Sequence, residues 1–330
     1  MSTPDAKTLA SMPRGERAAR SAAEAAEART TSALPPRVVL VHRETDYDLL
    51  LQRHGTRGQA KFYLESRGRR IDDIEARHHA FQHAWKLVLG QIPLAWRQAR
   101  VKRQDFDRFL FEPGDTVVAV GQDGLVPNVA KYLDGQLVFG VNPAPQEYEG
   151  VLVRHQPEAI LAPLVQWITT RKPPATLQRR VMAQVELDDG QRLLAVNEFF
   201  IGHRGHQSAR YRISFGNAQE RQSSSGVIVT TGTGSTGWAR SIHRNRVTPV
   251  VLPTPEEPRL AFFVREAWPS VATGTALTDG SIDEGQALEI ISEFNEDGVI
   301  YGDGIDTDHL VFHWGMTAKI SVAPRRLLLA

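Results

Sequence analysis

The chain has 330 residues, and its 39 Lys and Arg against 38 Asp and Glu give a formal net charge of +1. Hydrophobic residues make up 41% and there are 26 glycines, which excludes a wholly disordered chain. The near-neutral charge gives no overall attraction to nucleic acid or an anionic membrane. With no cysteine, disulfides, thiolate metal ligands and cysteine nucleophiles are excluded. Neither a membrane-spanning run nor a signal peptide is visible, so we expect a cytoplasmic protein.

Residues 1–36 are predicted to form a disordered tail. The segment is rich in Ala, Arg, Glu and Ser and ends in Pro35-Pro36. It contains almost no large apolar side chains, so it cannot bury enough surface to offset the entropy lost on ordering.

Residues 37–155 are predicted to form an α/β domain. Short apolar, β-branched runs indicate buried strands, and apolar residues at helical spacing indicate helices between them. In chain order the elements are a strand at 38–41, a helix at 71–90, a strand at 116–120, a helix at 127–133 and a strand at 137–141. Alternating strands and helices are typical of a parallel sheet.

Residues 156–310 are predicted to form a β-rich, sandwich-like domain, and 311–330 a C-terminal strand. Gly, Asn and Asp clusters separate the apolar runs. The predicted strands are 181–187, 192–200, 211–215, 227–231, 260–264, 287–294 and 310–322. Residues 170–180 are interpreted as the connection between the domains, with the charges of Arg179 and Arg180 on a solvated face.

The first candidate site is the turn Gly121-Gln122-Asp123-Gly124, which follows a buried strand. Open α/β sheets bind ligands at such strand ends. The glycines let backbone N–H groups approach a phosphate, and the carboxylate is suited to hold Mg²⁺ or take a proton from a hydroxyl. The alternative is a plain turn in which Asp123 caps a helix.

The second candidate site is the run from Thr230 to Trp238 (TTGTGSTGW), which also follows a strand. Three glycines and five hydroxyl groups in nine residues suit a polyanionic or ribose-bearing ligand, with Trp238 able to stack on a base. A third candidate is the polar pair Asn197-Glu198, which interrupts an apolar strand. Such a pair is costly unless its members are partnered, so we expect one of them to face a site. The alternative for the run from Thr230 to Trp238 is a flexible turn. The alternative for Asn197-Glu198 is simple strand alternation with Glu198 exposed.

Several short motifs occur in the same order as in the NAD kinases. They are 38–47 (VVLVHRETDY), 101–103 (VKR), 121–124 (GQDG), 140–143 (GVNP), 196–198 (VNE), 201–202 (IG), 224–226 (SSG), 231–235 (TGTGS), 255–258 (PEEP) and 303–304 (DG). The chain therefore resembles the NAD kinases, most of all their mitochondrial type, over most of residues 37–322. These enzymes transfer the γ-phosphate of ATP to the 2′-hydroxyl of the adenosine ribose of NAD.

The resemblance implies the two-domain NAD kinase fold, with a site between the domains and a last strand that returns to the first domain. It implies that Asp123 is the base for the 2′-hydroxyl and that Gly121 and Gly124 lie against phosphate. It further implies that the dinucleotide-binding residues are Asn197, Glu198, Thr233, Gly234, Ser235 and Trp238. Implied partners are NAD(H), ATP or another phosphoryl donor, and Mg²⁺ or another divalent cation, with no metal bound by the protein alone. It also implies a homodimer or larger homo-oligomer.

The turn departs from the family at two positions. Gln122 replaces the second glycine of Gly-Gly-Asp-Gly, and Leu125 replaces the usual threonine. We expect the Gln122 side chain to narrow the approach of a triphosphate or to demand a positive φ that glutamine tolerates poorly. Two alternatives follow: a non-catalytic nucleotide-binding protein, or a lipid or small-molecule kinase of the same superfamily.

Overall fold

The computed structural model of the chain describes residues 34–305 and 308–330. The predicted tail therefore lies outside the described residues, apart from Leu34, Pro35 and Pro36.

The N-terminal part is built on four parallel strands in the order β2-β1-β3-β4. They are β1 (Arg37–His42), β2 (Arg97–Lys102), β3 (Thr116–Val120) and β4 (Leu137–Val141). Five helices accompany them: α1 (Asp46–His54), α2 (Arg57–Glu65), α3 (Ile71–Gln91), α4 (Leu125–Ala130) and α5 (Leu161–Thr170). The parallel strands and intervening helices are those that the sequence predicts, with α1, α2, α5 and β2 in addition.

Helices cover both faces of this parallel sheet. Alternate side chains of β1 point to opposite faces, so Val39 packs in one apolar cluster and Val38 in another. The first cluster contains Val126 of α4, and the second contains Val88 of α3 and Leu164 of α5. Burial on both faces explains why these strands are continuous apolar runs.

The C-terminal part is antiparallel. Its strands are β5 (Gln178–Leu187), β6 (Arg192–Ala195), β7 (Glu198–His203), β8 (Ala209–Phe215), β9 (Ala218–Ser224), β10 (Val227–Thr230), β11 (Arg259–Val264), β12 (Asp279–Asp283), β13 (Ala287–Ser292), β14 (Gly298–Gly302), β15 (His309–Val311) and β16 (Thr317–Leu329), with helix α6 (Trp238–Arg244). One sheet has the order β12-β11-β10-β7-β14-β15. This sheet on one side and strands β5, β8, β13 and β16 on the other enclose the largest apolar cluster.

Strand β16 joins the two halves. It is antiparallel to β5 and β13, and near its end Leu328 pairs in parallel with Leu137 of β4. A single ten-stranded sheet therefore runs through both parts of the chain. The predicted fold class, a parallel α/β domain with a β-rich partner, is confirmed.

Two predicted strands are each divided in the structure. The strand expected at 192–200 is interrupted at Val196 and Asn197, because both N–H groups donate to the carboxylate of Asp303. The strand expected at 310–322 is interrupted by a turn at Gly315, whose φ is 82°. Within the described ranges, none of the helices combines the length and apolar character needed to cross a bilayer.

Candidate active site

The Gly-Gln-Asp-Gly turn connects β3 to α4. Its first residue, Gly121, donates its N–H to the carbonyl of Val141, and the carbonyl of Gln122 accepts from Leu125 at 2.9 Å. The backbone of Gln122 does not have a positive φ, so the expectation of a left-handed conformation there is wrong. No conformational strain is stored in the turn by the glutamine.

The carboxylate of Asp123 holds the segment that follows β4. Its Oδ1 accepts the N–H groups of Leu152 and Val153 at 2.8 and 3.1 Å, and its Oδ2 accepts that of Val151 at 2.9 Å. A carboxylate has about four lone-pair sites, so acceptor capacity remains on the half-buried side chain. Asp123 is thus fixed in orientation and still able to accept a proton.

The loop after β10 is tied tightly to the chain around it. The hydroxyl of Thr231 donates to the carbonyl of Val196 at 2.5 Å and accepts the N–H of Thr233 at 3.0 Å. A Cβ on Gly232 would lie 1.8 Å from the carbonyl oxygen of Thr254, and one on Gly234 would lie 2.3 Å from that of Asn197. Both glycines are therefore required by protein backbone that passes close to the loop.

The same packing brings Asn197 and Glu198 beside this loop. Glu198 begins β7 and pairs with Thr230 at the end of β10. Asp303, in a left-handed turn with φ 58°, accepts from the N–H of Asn197 at 2.6 Å and donates its own N–H to the carbonyl of Glu198 at 3.0 Å. Asp303 thus fixes the backbone of the polar pair, a role that the resemblance did not assign.

The side chain of Glu198 is held in an acidic surrounding. Burial, together with the charge of Asp303, raises the pKa of Glu198 to about 7. Burial also raises the pKa of Asp303, against the opposite effect of the Lys131 ammonium and of backbone N–H groups. Glu198 is therefore close to half protonated at neutral pH and gains in charge as pH rises.

Arg180 lies between the turn and the loop. Its Nη1 donates to the hydroxyl of Thr233 at 3.2 Å, and its residue exposure is only 2%. Burial lowers its pKa to about 10, and Asp123 and Glu256 oppose this shift. The interpretation of Arg180 as part of a solvated face is wrong, because it lies within β5, while Arg179 is exposed. In the sequence, the burial of Arg180 is indicated by the apolar run that begins directly after it.

Trp238 lies at the edge of this region and begins α6. Its ring stacks on Phe200 with centroids 5.7 Å apart and an interplanar angle of 19°. The guanidinium of Arg265 lies 5.0 Å from the Trp238 ring centroid. Phe200 is two residues from Glu198 on β7 and so lies on the same face. The stacked rings of Phe200 and Trp238 are thus placed beside Glu198.

A cavity opens on the other side of the turn. Its lining includes Arg43, Arg77, Gly121, Gln122 and Tyr148. Nη2 of Arg43 donates to Oε1 of Gln122 at 2.8 Å. Within the part of the chain that the structure describes, neither Arg43 nor Arg77 forms an ion pair with a carboxylate. The cavity therefore presents two guanidinium groups without an ion-pair partner next to the turn, and the carboxylates of Glu44 and Asp46 also line it.

No protein-family model matches the chain. Human mitochondrial NAD kinase 2 is 26% identical over 312 residues, an alignment that covers 70% of this chain and 71% of that protein. The rat protein of the same name is 25% identical and is covered to 73%. A crystal structure of an NAD kinase from Archaeoglobus fulgidus in complex with ATP superposes with a TM-score of 0.53 at 17% identity, covering 89% of this chain and 92% of that one.

These likenesses agree with the geometry of the site. The chain has a parallel sheet that ends in a Gly-x-Asp-Gly turn and a β domain with a hydroxyl-rich loop. The fold is that of the NAD kinases, and the resemblance in sequence to this family, including its mitochondrial members, is confirmed.

Proposed function

We propose that this protein is an NAD kinase, which transfers the γ-phosphate of ATP to the 2′-hydroxyl of the adenosine ribose of NAD(H) and forms NADP(H). The observation that carries the proposal is the packing of the Asn197-Glu198 pair against the Thr231–Ser235 loop, together with the buried Arg180, which donates to Thr233 and whose pKa is affected by the charge of Asp123 in the turn. The relatives named NAD kinase support it. They do not favour the two alternatives, a non-catalytic nucleotide-binding protein and a lipid or small-molecule kinase.

In the proposed mechanism, Asp123 takes the proton of the 2′-hydroxyl as its oxygen attacks the γ-phosphorus and the bond to the leaving ADP breaks. Phosphoryl transfer asks mainly for positioning and for stabilisation of charge. The three backbone N–H groups that bind Asp123 hold its carboxylate in one orientation. Gly121 and Gly124 are assigned to the phosphates of the donor, and Gly124 is exposed with open space where a Cβ would lie.

The dinucleotide is assigned to the C-terminal side of the cleft. Glu198 accepts hydrogen bonds from the ribose hydroxyls through its carboxylate. Asn197 donates hydrogen bonds to the ribose through its side-chain amide. Thr233, Gly234 and Ser235 line the ribose and phosphates, and Trp238 stacks near the adenine.

The divalent cation is assigned to the phosphates. The described residues contain no group of three or more carboxylates or imidazoles that would cage a metal. Mg²⁺ characteristically uses one or two carboxylates together with substrate phosphates, and Asp123 at the turn fits that donor set. When bound, the cation would neutralise charge on the transferred phosphate.

One assay tests the proposal. Purified protein is incubated with NAD or NADH, Mg²⁺ and either ATP or polyphosphate, and the NADP(H) formed is measured by a coupled dehydrogenase. We expect phosphorylation that depends on the donor and the cation. Tight NAD binding without product from any donor would favour the non-catalytic alternative.

A homodimer or larger homo-oligomer and a cytoplasmic location remain part of the proposal. Several large apolar side chains of the C-terminal part are exposed and are the candidates for an interface between subunits. They are Val247, Val251, Trp268, Val271, Val311 and Trp314. Light scattering of the purified protein tests the assembly.

A further inference from the structure

Arg180 is a buried cation whose hydrogen-bond partners are all neutral. Its Nε donates to Oε1 of Gln178 at 3.0 Å, and its Nη1 donates to Oγ1 of Thr233 at 3.2 Å. No carboxylate of the described residues lies within ion-pair distance of the guanidinium. A guanidinium has five N–H donors, so several are left without a protein acceptor.

Such an arrangement is costly for the folded protein. A charge removed from water is tolerated when an opposite charge and hydrogen bonds compensate it, and an uncompensated one destabilises the fold. The pKa of Arg180, about 10, keeps the group positively charged at neutral pH. Asp123 and Glu256 act on the guanidinium only from beyond ion-pair distance, so its unused N–H donors point to an anion that binds from outside the chain.

The position of Arg180 indicates which anion. Its hydrogen bond to Thr233 places it against the loop assigned to the dinucleotide, and its pKa is influenced by the charge of Asp123 on the opposite turn. The neighbouring Arg179 faces solvent, because side chains of a strand alternate in direction. Only one of the two adjacent arginines is thus buried and directed toward the loop at Thr233.

We propose that Arg180 donates hydrogen bonds to the phosphoryl group in transfer and stabilises the negative charge on its oxygens. This inference rests on the proposed function for the identity of the phosphate. As the 2′-oxygen bonds to the γ-phosphorus, the bond to the leaving ADP breaks and the proton passes to Asp123. Arg180 keeps its own protons and acts as a fixed positive charge beside the transferred group. A guanidinium suits this task because its planar fork matches phosphate oxygens.

The test compares Arg180→Met, Arg180→Lys and the matched control Arg179→Met, which removes the same charge from the exposed face of the same strand. We expect Arg180→Met to lower kcat by about 10²- to 10³-fold, as for loss of a preorganised charge-stabilising donor. Arg180→Lys should retain part of kcat. The control should stay within about twofold of the wild type, because an exposed charge contributes little.

Thermal unfolding of the ligand-free proteins separates binding from a structural role. Replacing an uncompensated buried charge by an apolar side chain of similar volume is neutral or stabilising, so Arg180→Met should melt at or above the wild-type temperature. A melting temperature well below the wild type, with unchanged kcat of the folded fraction, would overturn the inference. If Arg180→Met does not fold, Arg180→Lys decides: a kcat at least about tenfold lower supports the proposal, and an unchanged kcat overturns it.

Inorganic tripolyphosphate provides a readout without turnover. It should raise the melting temperature of the wild type and of Arg179→Met, and this shift should be lost in Arg180→Met. If the wild type phosphorylates NAD while Arg180→Met keeps both kcat and the shift, the inference fails alone. If no donor yields NADP but the shift still depends on Arg180, the proposed function fails and the anion site stands.

Discussion

The guanidinium of Arg43, at the end of β1, donates a hydrogen bond of 2.8 Å to the side-chain oxygen of Gln122. Gln122 occupies the position at which the chain departs from the Gly-Gly-Asp-Gly pattern of the NAD kinases. The glutamine therefore has a partner, and its backbone is free of the strain that a positive φ would impose. The departure joins the turn to the cavity beside it, whose lining includes Arg43 and Arg77.

We expect Gln122→Gly to raise the KM for ATP several-fold and to leave the affinity for NAD unchanged. The variant removes the amide that holds Arg43 over the turn, and a charge-assisted hydrogen bond contributes about 1.5–3 kcal/mol. Steady-state kinetics with varied ATP provides the measurement. A lower KM for ATP would show instead that the glutamine obstructs the triphosphate.

The matched control for this pair is a double-mutant cycle with Arg43→Met. If the two side chains act together, Arg43→Met alone should raise the KM for ATP, and the double variant should add little to it. Additive effects would show that the hydrogen bond between them does not position the donor.

We expect Asp123→Asn to lower kcat by about 10²- to 10⁴-fold, the usual effect of losing a general base. The same change turns one of the two acceptor oxygens into an NH₂ group and leaves at least one of the three N–H groups of Val151, Leu152 and Val153 unpaired. The free energy of unfolding should therefore fall by about 1–3 kcal/mol without loss of the fold. Kinetics and urea unfolding measure the two effects.

Asp134→Asn is the control for this variant, because the carboxylate of Asp134 is largely exposed and makes only a surface ion pair with Arg325. It should leave both kcat and the free energy of unfolding within experimental error of the wild type. A near wild-type kcat in Asp123→Asn would remove Asp123 from the chemistry.

Glu198 makes the stability of the protein depend on pH. Its folded pKa of about 7 lies above the ordinary value of 4.5 for a glutamate side chain, so the folded state binds more protons than the unfolded state between these values. The free energy of unfolding therefore falls as pH rises from about 4.5 through about 7 and then levels off. Glu198→Gln should remove this loss and be more stable than the wild type at pH 8 by about 1–3 kcal/mol.

Urea unfolding of both proteins at pH 5 and pH 8 measures the effect, since the other titrating groups contribute alike to each. We expect the free energies of unfolding of the wild type and of Glu198→Gln to differ more at pH 8 than at pH 5. An equal difference at both pH values would show that Glu198 is ionised throughout.

The same titration should affect the binding of NAD. If the ionised carboxylate accepts hydrogen bonds from the ribose, the wild-type Kd for NAD decreases as pH rises from 6 to 8, and that of Glu198→Gln does not. At pH 8 the variant should bind NAD more weakly by about 1.5–3 kcal/mol. Calorimetry that shows equal affinities would refute the assignment of Glu198 to the dinucleotide.

Gly234→Ala should destabilise the fold strongly, because the added methyl group would lie 2.3 Å from the carbonyl oxygen of Asn197. Overpacking against backbone costs about 1–3 kcal/mol or more. Gly90→Ala is the control: its Cβ meets nothing within 4 Å, and in α3 alanine should stabilise by about 0.5–1 kcal/mol. Thermal melts of both variants test the contrast, and an unchanged melting temperature in Gly234→Ala would contradict the close approach.

Much of the site can be predicted from the sequence because its motifs end strands. The turn at Asp123 follows β3, and the loop at Thr233 follows β10, as the apolar runs before them indicate. The glycines of the loop also mark positions where another chain segment approaches. The reason expected at the loop was a ligand phosphate, whereas Gly232 and Gly234 are packed against the protein's own backbone.

Arg180 and Asp303 could not be assigned from the sequence in the same way. Arg180 looks like one of several charges in a polar connection, and its burial depends on β16 returning along β5. Asp303 is more than a hundred residues from the N–H groups that it binds. Contacts over such separations leave no periodic signal in the chain.

The sequence by itself determined the alternation of helices and strands, the two-part fold and the motifs that it shares with the NAD kinases, because these follow from local apolar periodicity and short strings of residues. Only the tertiary structure decided that Gln122 is unstrained and bound to Arg43, that the strand breaks before Glu198, and that Arg180 is buried without a counter-ion. Burial and long-range pairing set the protonation of Glu198 and the uncompensated charge of Arg180, and both properties arise only when distant segments exclude water together.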